Sequence, residues 1–238
     1  MADIKRLEQA YFDVRARLEV NSYDEEVFDF IVERCRKPKS ILIELGCGTG
    51  VWTRRLVKEA ITVIGVDFVP SLIKQTHQAL KTCETIVADA EFLPFRDHFA
   101  DQCFFGFSLH HIPNIFQCLQ EATRCLRDDG SIVLIEPNRL NLIRVASYRI
   151  GILINKIKKE RVSSYIERPL NFHEISQILK KLGFKCNVFP CYTTIKLLKK
   201  APCSALSSKI YLLLLKISKS MFPGLFGASD FILFALRV

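Results

Sequence analysis

The sequence predicts an α/β fold in which helices cover both faces of a parallel sheet. Between residues 41 and 138, short apolar runs alternate with stretches of helical periodicity, and a glycine-rich turn follows the first run. Strands that alternate with helices in this way are typical of βαβ units. The predicted strands are Ile41–Leu45, Thr62–Val66, Thr85–Val87, Gln102–Phe107 and Ser131–Ile135, and helices are predicted at 50–59, 70–81 and 114–126.

The pattern changes on either side of this central region. Apolar residues at helical spacing predict a helical cap at the amino terminus. Asn171, with Glu174 three residues later, predicts a capped helix that ends at Gly183. Strands are predicted at 184–189 and 230–238. The expected organisation is a cap at 1–40, a ligand-binding core at 41–138, a helical insertion or lid at 139–170, and a C-terminal part of the core at 171–238 that contains a basic, apolar insertion at 191–229.

Charge is distributed unevenly along the 238 residues, whose net charge is +9. Residues 1–138 hold 16 basic and 21 acidic residues, whereas residues 139–238 hold 18 and 4. This asymmetry predicts an anionic partner for the second half. No apolar run approaches the roughly 20 residues that a membrane-spanning helix needs, and the charged amino terminus has no secretory core. We therefore expect a cytoplasmic protein.

The nine cysteines do not form a recognisable metal or disulfide pattern. No pair has C-x2-C spacing, and no histidine follows at the spacing of a zinc finger. Several lie within apolar runs, as Cys103 does. We expect buried free thiols and no metal site.

Glycines and acids follow the first three predicted strands. The spacing Gly46-Cys-Gly48-Thr-Gly50 differs from the G-x-G-x-x-G of dinucleotide-binding proteins, and it lacks the Gly-Lys-Ser/Thr of a phosphate loop. Asp67 ends the second strand and Asp89 follows the third. Because ligands of open α/β sheets bind at the carboxyl ends of the strands, Asp67 can accept hydrogen bonds from both ribose hydroxyls. Asp89 can accept one from the amino group of adenine.

With these features the sequence resembles the class I S-adenosylmethionine-dependent methyltransferases, in particular the ubiquinone/menaquinone C-methyltransferase-like subgroup of small-molecule enzymes. The resemblance covers residues 41–138 in order and continues through the helix at 171–183. It is carried by Glu44-Leu-Gly-Cys-Gly-Thr-Gly50, Gly65-Val-Asp67, Ala88-Asp89-Ala90, Leu93-Pro94-Phe95, Ser108-Leu-His-His111 and Leu126-Arg-Asp-Asp-Gly130-Ser. It implies a doubly wound, Rossmann-like sheet of seven mostly parallel strands with the last strand antiparallel, and helical insertions over the rim of the active site.

The resemblance also implies the cofactor S-adenosylmethionine, with S-adenosylhomocysteine as product, and a set of residues that bind it. Glu44 and the loop glycines would surround the methionine part, Asp67 the ribose, and Asp89 with Ala90 the edge of the adenine. Tyr11 matches a position at which the family closes a lid. The implied cofactor-binding residues are Tyr11, Glu44, Gly46, Cys47, Gly48, Gly50, Asp67, Phe68, Asp89, Ala90, Phe107 and Ser108.

Two histidines follow the fourth predicted strand, where the methyl acceptor would lie. Methyl transfer is a displacement at an activated carbon, so the protein mainly aligns the reactants, and a base removes a proton from the acceptor. His110 and His111 are the catalytic candidates, since imidazole titrates near neutrality. Glu136, at the end of the fifth strand, is an alternative base. A structural role for the two histidines remains open.

The two predicted insertions suggest the chemistry of the acceptor. The first has eight basic residues and two acids, the second six lysines and no acid, and both are rich in aliphatic residues. This combination favours a small acceptor that is hydrophobic, lipid-linked or anionic, and contact with the inner face of an anionic membrane. A lid whose lysines are merely solvated is the alternative. An RNA or protein methyltransferase and a non-catalytic cofactor-binding regulator also remain open, but basic residues among aliphatics are poor platforms for stacking nucleic-acid bases, so nucleic acid is not the expected partner.

Overall fold

The computed structural model describes residues 25–35, 40–57, 62–141, 169–191 and 230–238, together with Lys5, Gln9, Val145 and Ala228. The described helices are α1 (Glu25–Cys35), α2 (Thr53–Leu56), α3 (Pro70–Ala79), α4 (Ile115–Cys125) and α5 (Phe172–Lys181). The strands are β1 (Ile41–Leu45), β2 (Thr62–Asp67), β3 (Glu84–Val87), β4 (Ala100–Gly106), β5 (Leu126–Pro137), β6 (Phe184–Cys191) and β7 (Asp230–Arg237). Among these residues, no helix is long and apolar enough to cross a membrane.

The seven strands form one sheet in the order β3-β2-β1-β4-β5-β7-β6. The pairs from β3 to β5 are all parallel, and β7 runs antiparallel to both of its neighbours. The predicted doubly wound sheet with an antiparallel last strand is therefore confirmed. The direction of winding reverses between β1 and β4, so the crevice at their carboxyl ends is the expected position of a ligand.

The sheet is buried on both faces, as its strand sequences require. Neighbouring residues of one strand contribute to opposite faces, since Leu42 packs in one apolar cluster and Ile43 in the other. Helices α4 and α5 cover the face that contains Ile43, and helices α1 and α2 cover the face that contains Leu42. This explains why the parallel strands are nearly continuous apolar runs rather than alternating ones.

Several predicted boundaries shift for local reasons. The helix predicted at 114–126 ends one residue earlier, because Leu126 pairs with Ala100 and already belongs to β5. The predicted strand Ser131–Ile135 therefore grows to Leu126–Pro137, with a register irregularity before Ser131. Phe107 was predicted to end β4, but its φ of 58° takes it out of the strand. Of the helix predicted at 50–59, the described part is limited to Thr53–Leu56.

The helix predicted from Asn171 to Gly183 begins and ends as expected. Asn171 caps α5 by accepting a hydrogen bond from the backbone N–H of His173 at 3.0 Å. Glu174 accepts from the side-chain amide of Asn171 at 3.3 Å, and this bond replaces the backbone contact of a standard capping box. Gly183 follows the helix with φ +89°.

The points at which the chain leaves and re-enters the described core lie close together. Asp230, the first residue of β7, pairs with Pro137 at the end of β5 and with Cys191 at the end of β6. Leu170 donates its backbone N–H to the carbonyl of Pro137 at 2.8 Å. The Asn138 side chain donates to the carbonyl of Ala228 at 3.0 Å. Both predicted insertions therefore start and finish at the carboxyl edge of the sheet; 142–144, 146–168 and 192–227 lie outside the described residues, as does most of the predicted cap.

Candidate active site

The glycine loop that follows β1 contacts the loop that follows β4. Gly46 has φ +74°, a conformation that only glycine adopts at little cost. A Cβ placed on Gly46 would lie 2.4 Å from the Cβ of Ser108. The Ser108 hydroxyl donates to the carbonyl of Leu45 at 2.6 Å. The first glycine therefore serves the packing of the two loops on which the crevice is built.

The second glycine faces open space. Gly48 has φ +55°, and no heavy atom lies within 4 Å of the position its Cβ would take. Its backbone N–H donates to Asp67 Oδ2 at 2.9 Å, and its carbonyl accepts from the Thr76 hydroxyl at 2.7 Å. Gly50 closes the loop, since its N–H donates to the carbonyl of Cys47 and its carbonyl accepts from Arg54. Hydrogen bonds to Asp67 and Thr76 thus fix the loop, and the side of Gly48 on which a Cβ would lie faces open space.

Asp67 is the acid that ends β2, and it is 7% exposed. Besides Gly48, it accepts the backbone N–H of Val69 through Oδ1 at 2.9 Å. Burial raises the pKa of Asp67 to about 6, although its backbone hydrogen bonds act in the opposite direction. Phe68, which follows it, is half-buried. The carboxylate thus ties the glycine loop to the start of α3.

Glu44 lies below this loop on β1 and is 1% exposed. The Thr53 hydroxyl donates to Glu44 Oε2 at 2.6 Å. Burial, together with the nearby Asp67 charge, raises the pKa of Glu44 to about 8, even though the Thr53 bond lowers it. Cys47, also predicted to meet the cofactor, directs its thiol toward the sheet, where its Sγ lies 3.1 Å from the position a Cβ would take on Gly65. Burial raises the pKa of this thiol well above its usual value.

Asp89 lies after β3 in a group of charges that includes the amino-terminal Lys5. Asp89 Oδ1 accepts the backbone N–H of Glu91 at 3.0 Å. Lys5 Nζ donates to Asp89 Oδ2 at 2.5 Å and to Glu91 Oε2 at 2.9 Å. Glu91 Oε1 accepts the backbone N–H of Asn114, the cap of α4, at 3.0 Å. Ala90, between the two acids, is half-buried against the core. Tyr11 lies outside the described residues.

The loop that follows β4 holds the two predicted catalytic histidines and joins them to Glu136. Glu136 is fully buried, and its Oε1 accepts the backbone N–H groups of Ser108 and Leu109 at 3.0 and 2.8 Å. Its Oε2 lies 2.6 Å from His110 Nδ1. When Glu136 is a carboxylate it can only accept, so Nδ1 donates to it, and in the neutral form of the ring Nε2 then has the lone pair. The His111 ring lies 4.0 Å from the His110 ring.

A cavity of about 490 Å³ opens beside this loop, between the amino-terminal ends of α4 and α5. Its walls combine apolar side chains with polar groups in nearly equal parts, and Arg139 and Glu174 are among the polar groups. These two side chains are mainly exposed and approach each other to 3.7 Å. The volume is in the range of sites for small ligands.

The structure brings together Glu44, the glycine loop, Asp67, Phe107, Ser108 and His110 around one crevice, as the sequence predicts. Glu136, predicted as an alternative base, is hydrogen-bonded to His110. Thr53 and Lys5 were not predicted, because nothing in a sequence marks a hydroxyl or an ammonium group that pairs with a distant carboxylate. The predictions of catalysis and of cofactor contact stay predictions.

Comparison with known proteins shows what the chain is similar to. Residues 43–134 match the family model described as a methyltransferase domain. A demethylmenaquinone methyltransferase of Bacillus cereus (strain AH187) is 33% identical over 115 residues, which are 45% of this chain and 48% of that protein. The chain therefore matches about half the length of these curated relatives.

Solved structures extend the likeness in fold to most of the chain. A chain of the complex between a Haloferax volcanii methyltransferase activator and a putative methyltransferase has a TM-score of 0.68 at 13% identity, with 97% of each chain covered. An S-adenosylmethionine-dependent methyltransferase of Archaeoglobus fulgidus has a TM-score of 0.64 at 20% identity, covering 90% of this chain and 94% of that one. The predicted class I methyltransferase fold is confirmed, and the Archaeoglobus protein is named as dependent on S-adenosylmethionine.

The residues around the crevice fit S-adenosylmethionine, the cofactor that the resemblance implies. Gly48 leaves room for a ligand against the loop backbone. S-adenosylmethionine carries a sulfonium and an ammonium charge, and the carboxylate of Asp67 beside Gly48 supplies a negative charge that favours its binding. Glu44 and Asp67 would hold the methionine and ribose parts, and Asp89 the adenine.

Proposed function

We propose that this protein transfers the methyl group of S-adenosylmethionine to a small, hydrophobic acceptor. The observation that carries the proposal is the His110–Glu136 pair beside the crevice, since it offers a base where the acceptor would approach. The match of residues 43–134 to the methyltransferase domain supports the reaction class.

The cofactor, when bound, supplies a methyl carbon activated by its bond to a sulfonium sulfur. His110 Nε2 accepts the proton that the acceptor releases as it bonds to this carbon. Glu136, bonded to Nδ1, stabilises the imidazolium that forms and keeps the ring in the reactive tautomer. The two backbone N–H donors of Ser108 and Leu109 hold the carboxylate in place during this step.

The apolar character of the acceptor rests on two supports. The cavity between α4 and α5 has an apolar part formed by Ile115, Leu170 and Ile178, and it begins at Pro113, just after the histidine loop. The curated relative is named for demethylmenaquinone, whose quinone ring carries an apolar chain. The insertions predicted at 139–170 and 191–229 would add apolar and basic surface at the same edge, where we also propose peripheral contact with an anionic membrane.

The test is to incubate the protein with methyl-labelled cofactor and a cell extract, and then to separate organic, small aqueous, nucleic-acid and protein fractions. Label in the organic fraction supports the hydrophobic acceptor. Label in RNA or protein overturns it in favour of a macromolecular methyltransferase. Absence of label in every fraction, with cofactor binding demonstrated by calorimetry, favours a non-catalytic regulator. The Asp67→Ala variant, which should bind the cofactor much more weakly, is the background control at a cofactor concentration well below its dissociation constant.

A further inference from the structure

Lys5, near the amino terminus, contacts Asp89, which follows it by 84 residues in the sequence. Its ammonium group contacts both acids of the segment after β3, Asp89 and Glu91. It also lies 5.8 Å from the centre of the Phe92 ring. The Lys5 side chain is 24% exposed, so solvent screens its two ion pairs only in part.

The two acids differ in their exposure and in their other hydrogen bonds. The Glu91 side chain is 4% exposed and uses its other oxygen to hold the cap of α4. Asp89 is 36% exposed, so it can accept a further donor while Lys5 remains bound. One Asp89 oxygen is fixed by the Glu91 backbone and the other by Lys5. These two bonds hold the carboxylate in one orientation, and the ammonium charge offsets the repulsion between two neighbouring acids.

We propose that Lys5 is a positioning residue for adenine recognition, which holds the Asp89 carboxylate in the orientation that accepts the 6-amino group. The proposal rests on the proposed contact between Asp89 and the adenine. A site built to accept an N–H discriminates strongly against an analogue that lacks it, because its acceptor is left unpaired or faces another acceptor. Lys5 would therefore contribute to the affinity for the cofactor and also set the preference for a 6-aminopurine over a 6-oxopurine.

The experiment compares S-adenosylhomocysteine with S-inosylhomocysteine, in which a carbonyl replaces the 6-amino group. Dissociation constants for both ligands are measured by calorimetry on the whole chain and on its Lys5→Met variant. We expect Lys5→Met to reduce the ratio of the two dissociation constants about tenfold, since a charge-assisted hydrogen bond is weakened. Lys5→Arg, which keeps the charge, should retain most of the ratio.

Two further variants separate the possible failures. Asp89→Asn should lose the preference on its own, and adding Lys5→Met to it should change the ratio no further. If Asp89→Asn keeps the wild-type ratio, the proposed adenine contact is wrong. If Asp89→Asn loses the ratio but Lys5→Met retains it, Lys5 has only a structural role and the inference is overturned. Glu91→Gln, which removes the other ion pair, should leave the ratio within about twofold of wild type; an equal loss in this variant would also overturn the inference.

Discussion

The first two glycines of the loop should respond in opposite ways to the same added methyl group. Alanine at either position is forced into the left-handed region, which costs roughly 1–2 kcal/mol. At Gly46 the new Cβ also meets the Ser108 Cβ at 2.4 Å. Overpacking of this kind typically costs a further 1–3 kcal/mol. We therefore expect Gly46→Ala to lower the free energy of unfolding by about 2–5 kcal/mol, and Gly48→Ala by only about 1–2 kcal/mol.

Among molecules that remain folded, Gly48→Ala should lose more cofactor affinity than Gly46→Ala. The Gly48 Cβ would enter the open space in which we place the cofactor. Urea unfolding followed by the fluorescence of Trp52, the single tryptophan and a buried one, measures stability. Calorimetry with S-adenosylhomocysteine measures affinity.

The contact between a Cβ at position 46 and the Cβ of Ser108 is tested by a double-mutant cycle. Ser108→Gly removes the atom that the Gly46→Ala methyl group meets, so the double variant should recover about 1–3 kcal/mol relative to additivity. Equal losses of stability in Gly46→Ala and Gly48→Ala, or an additive cycle, would refute this reasoning. Normal cofactor affinity in Gly48→Ala would contradict the position given to the ligand.

Three further predictions concern the acids of the crevice. Asp67→Ala should raise the dissociation constant of S-adenosylhomocysteine about a hundredfold, because it removes the ribose acceptor and releases two backbone N–H groups. Glu136→Gln should lower kcat by about 10²–10⁴-fold, because the amide donates to His110 Nδ1 and moves the proton to Nε2, which removes the base. Burial raises the pKa of Glu44 to about 8, so the free energy of unfolding of the ligand-free protein should fall as pH rises from 4.5 to 8, and Glu44→Gln should flatten this slope.

Each of these predictions has a matched control and a contrary outcome. Asp128, whose side chain is 88% exposed, provides an acid outside the crevice; an effect of Asp128→Ala equal to that of Asp67→Ala would point to charge alone. Glu136→Gln should keep cofactor affinity near that of wild type, and a kcat within threefold of wild type would exclude His110 as the base. The sign for Glu44 follows because the native state binds the proton that the unfolded state has already lost in this range. A stability that rises with pH in the wild type but not in Glu44→Gln would contradict the pKa shift.

The sheet could be predicted because each strand carries its own signal. The run Ile41–Leu45 is a strand over its whole predicted length, and its burial on both faces explains its continuous apolar sequence. The acids at strand ends could be predicted for the same reason, since Asp67 lies where an apolar run stops. The boundary of an element was harder to predict where it depends on strand pairing. Leu126 belongs to β5 and not to the preceding helix, because it pairs with Ala100 of the neighbouring strand.

The pairs that complete the site had no local signal. His110 and Glu136 are 26 residues apart, and no pattern within either segment marks the other as its partner. The Lys5 contact with Asp89 spans 84 residues. A sequence pattern reports the periodicity of one element, whereas such pairs depend on how the loops at the carboxyl edge are placed by the completed sheet.

Both predicted insertions leave and re-enter the described core close to Asp230. Each insertion could therefore be replaced by another segment without moving the strands. Residues 141 and 169, like residues 191 and 228, are anchored at the same edge, so the sheet is insensitive to the length of chain that joins each pair. Doubling the length of a flexible connection costs only about 0.6 kcal/mol in closure entropy. If these segments contact the acceptor, as we propose, their replacement would change acceptor preference while the strands and the glycine loop remain unchanged. A chimera that exchanges residues 142–168 should keep the cofactor affinity of its host and take the acceptor of its donor.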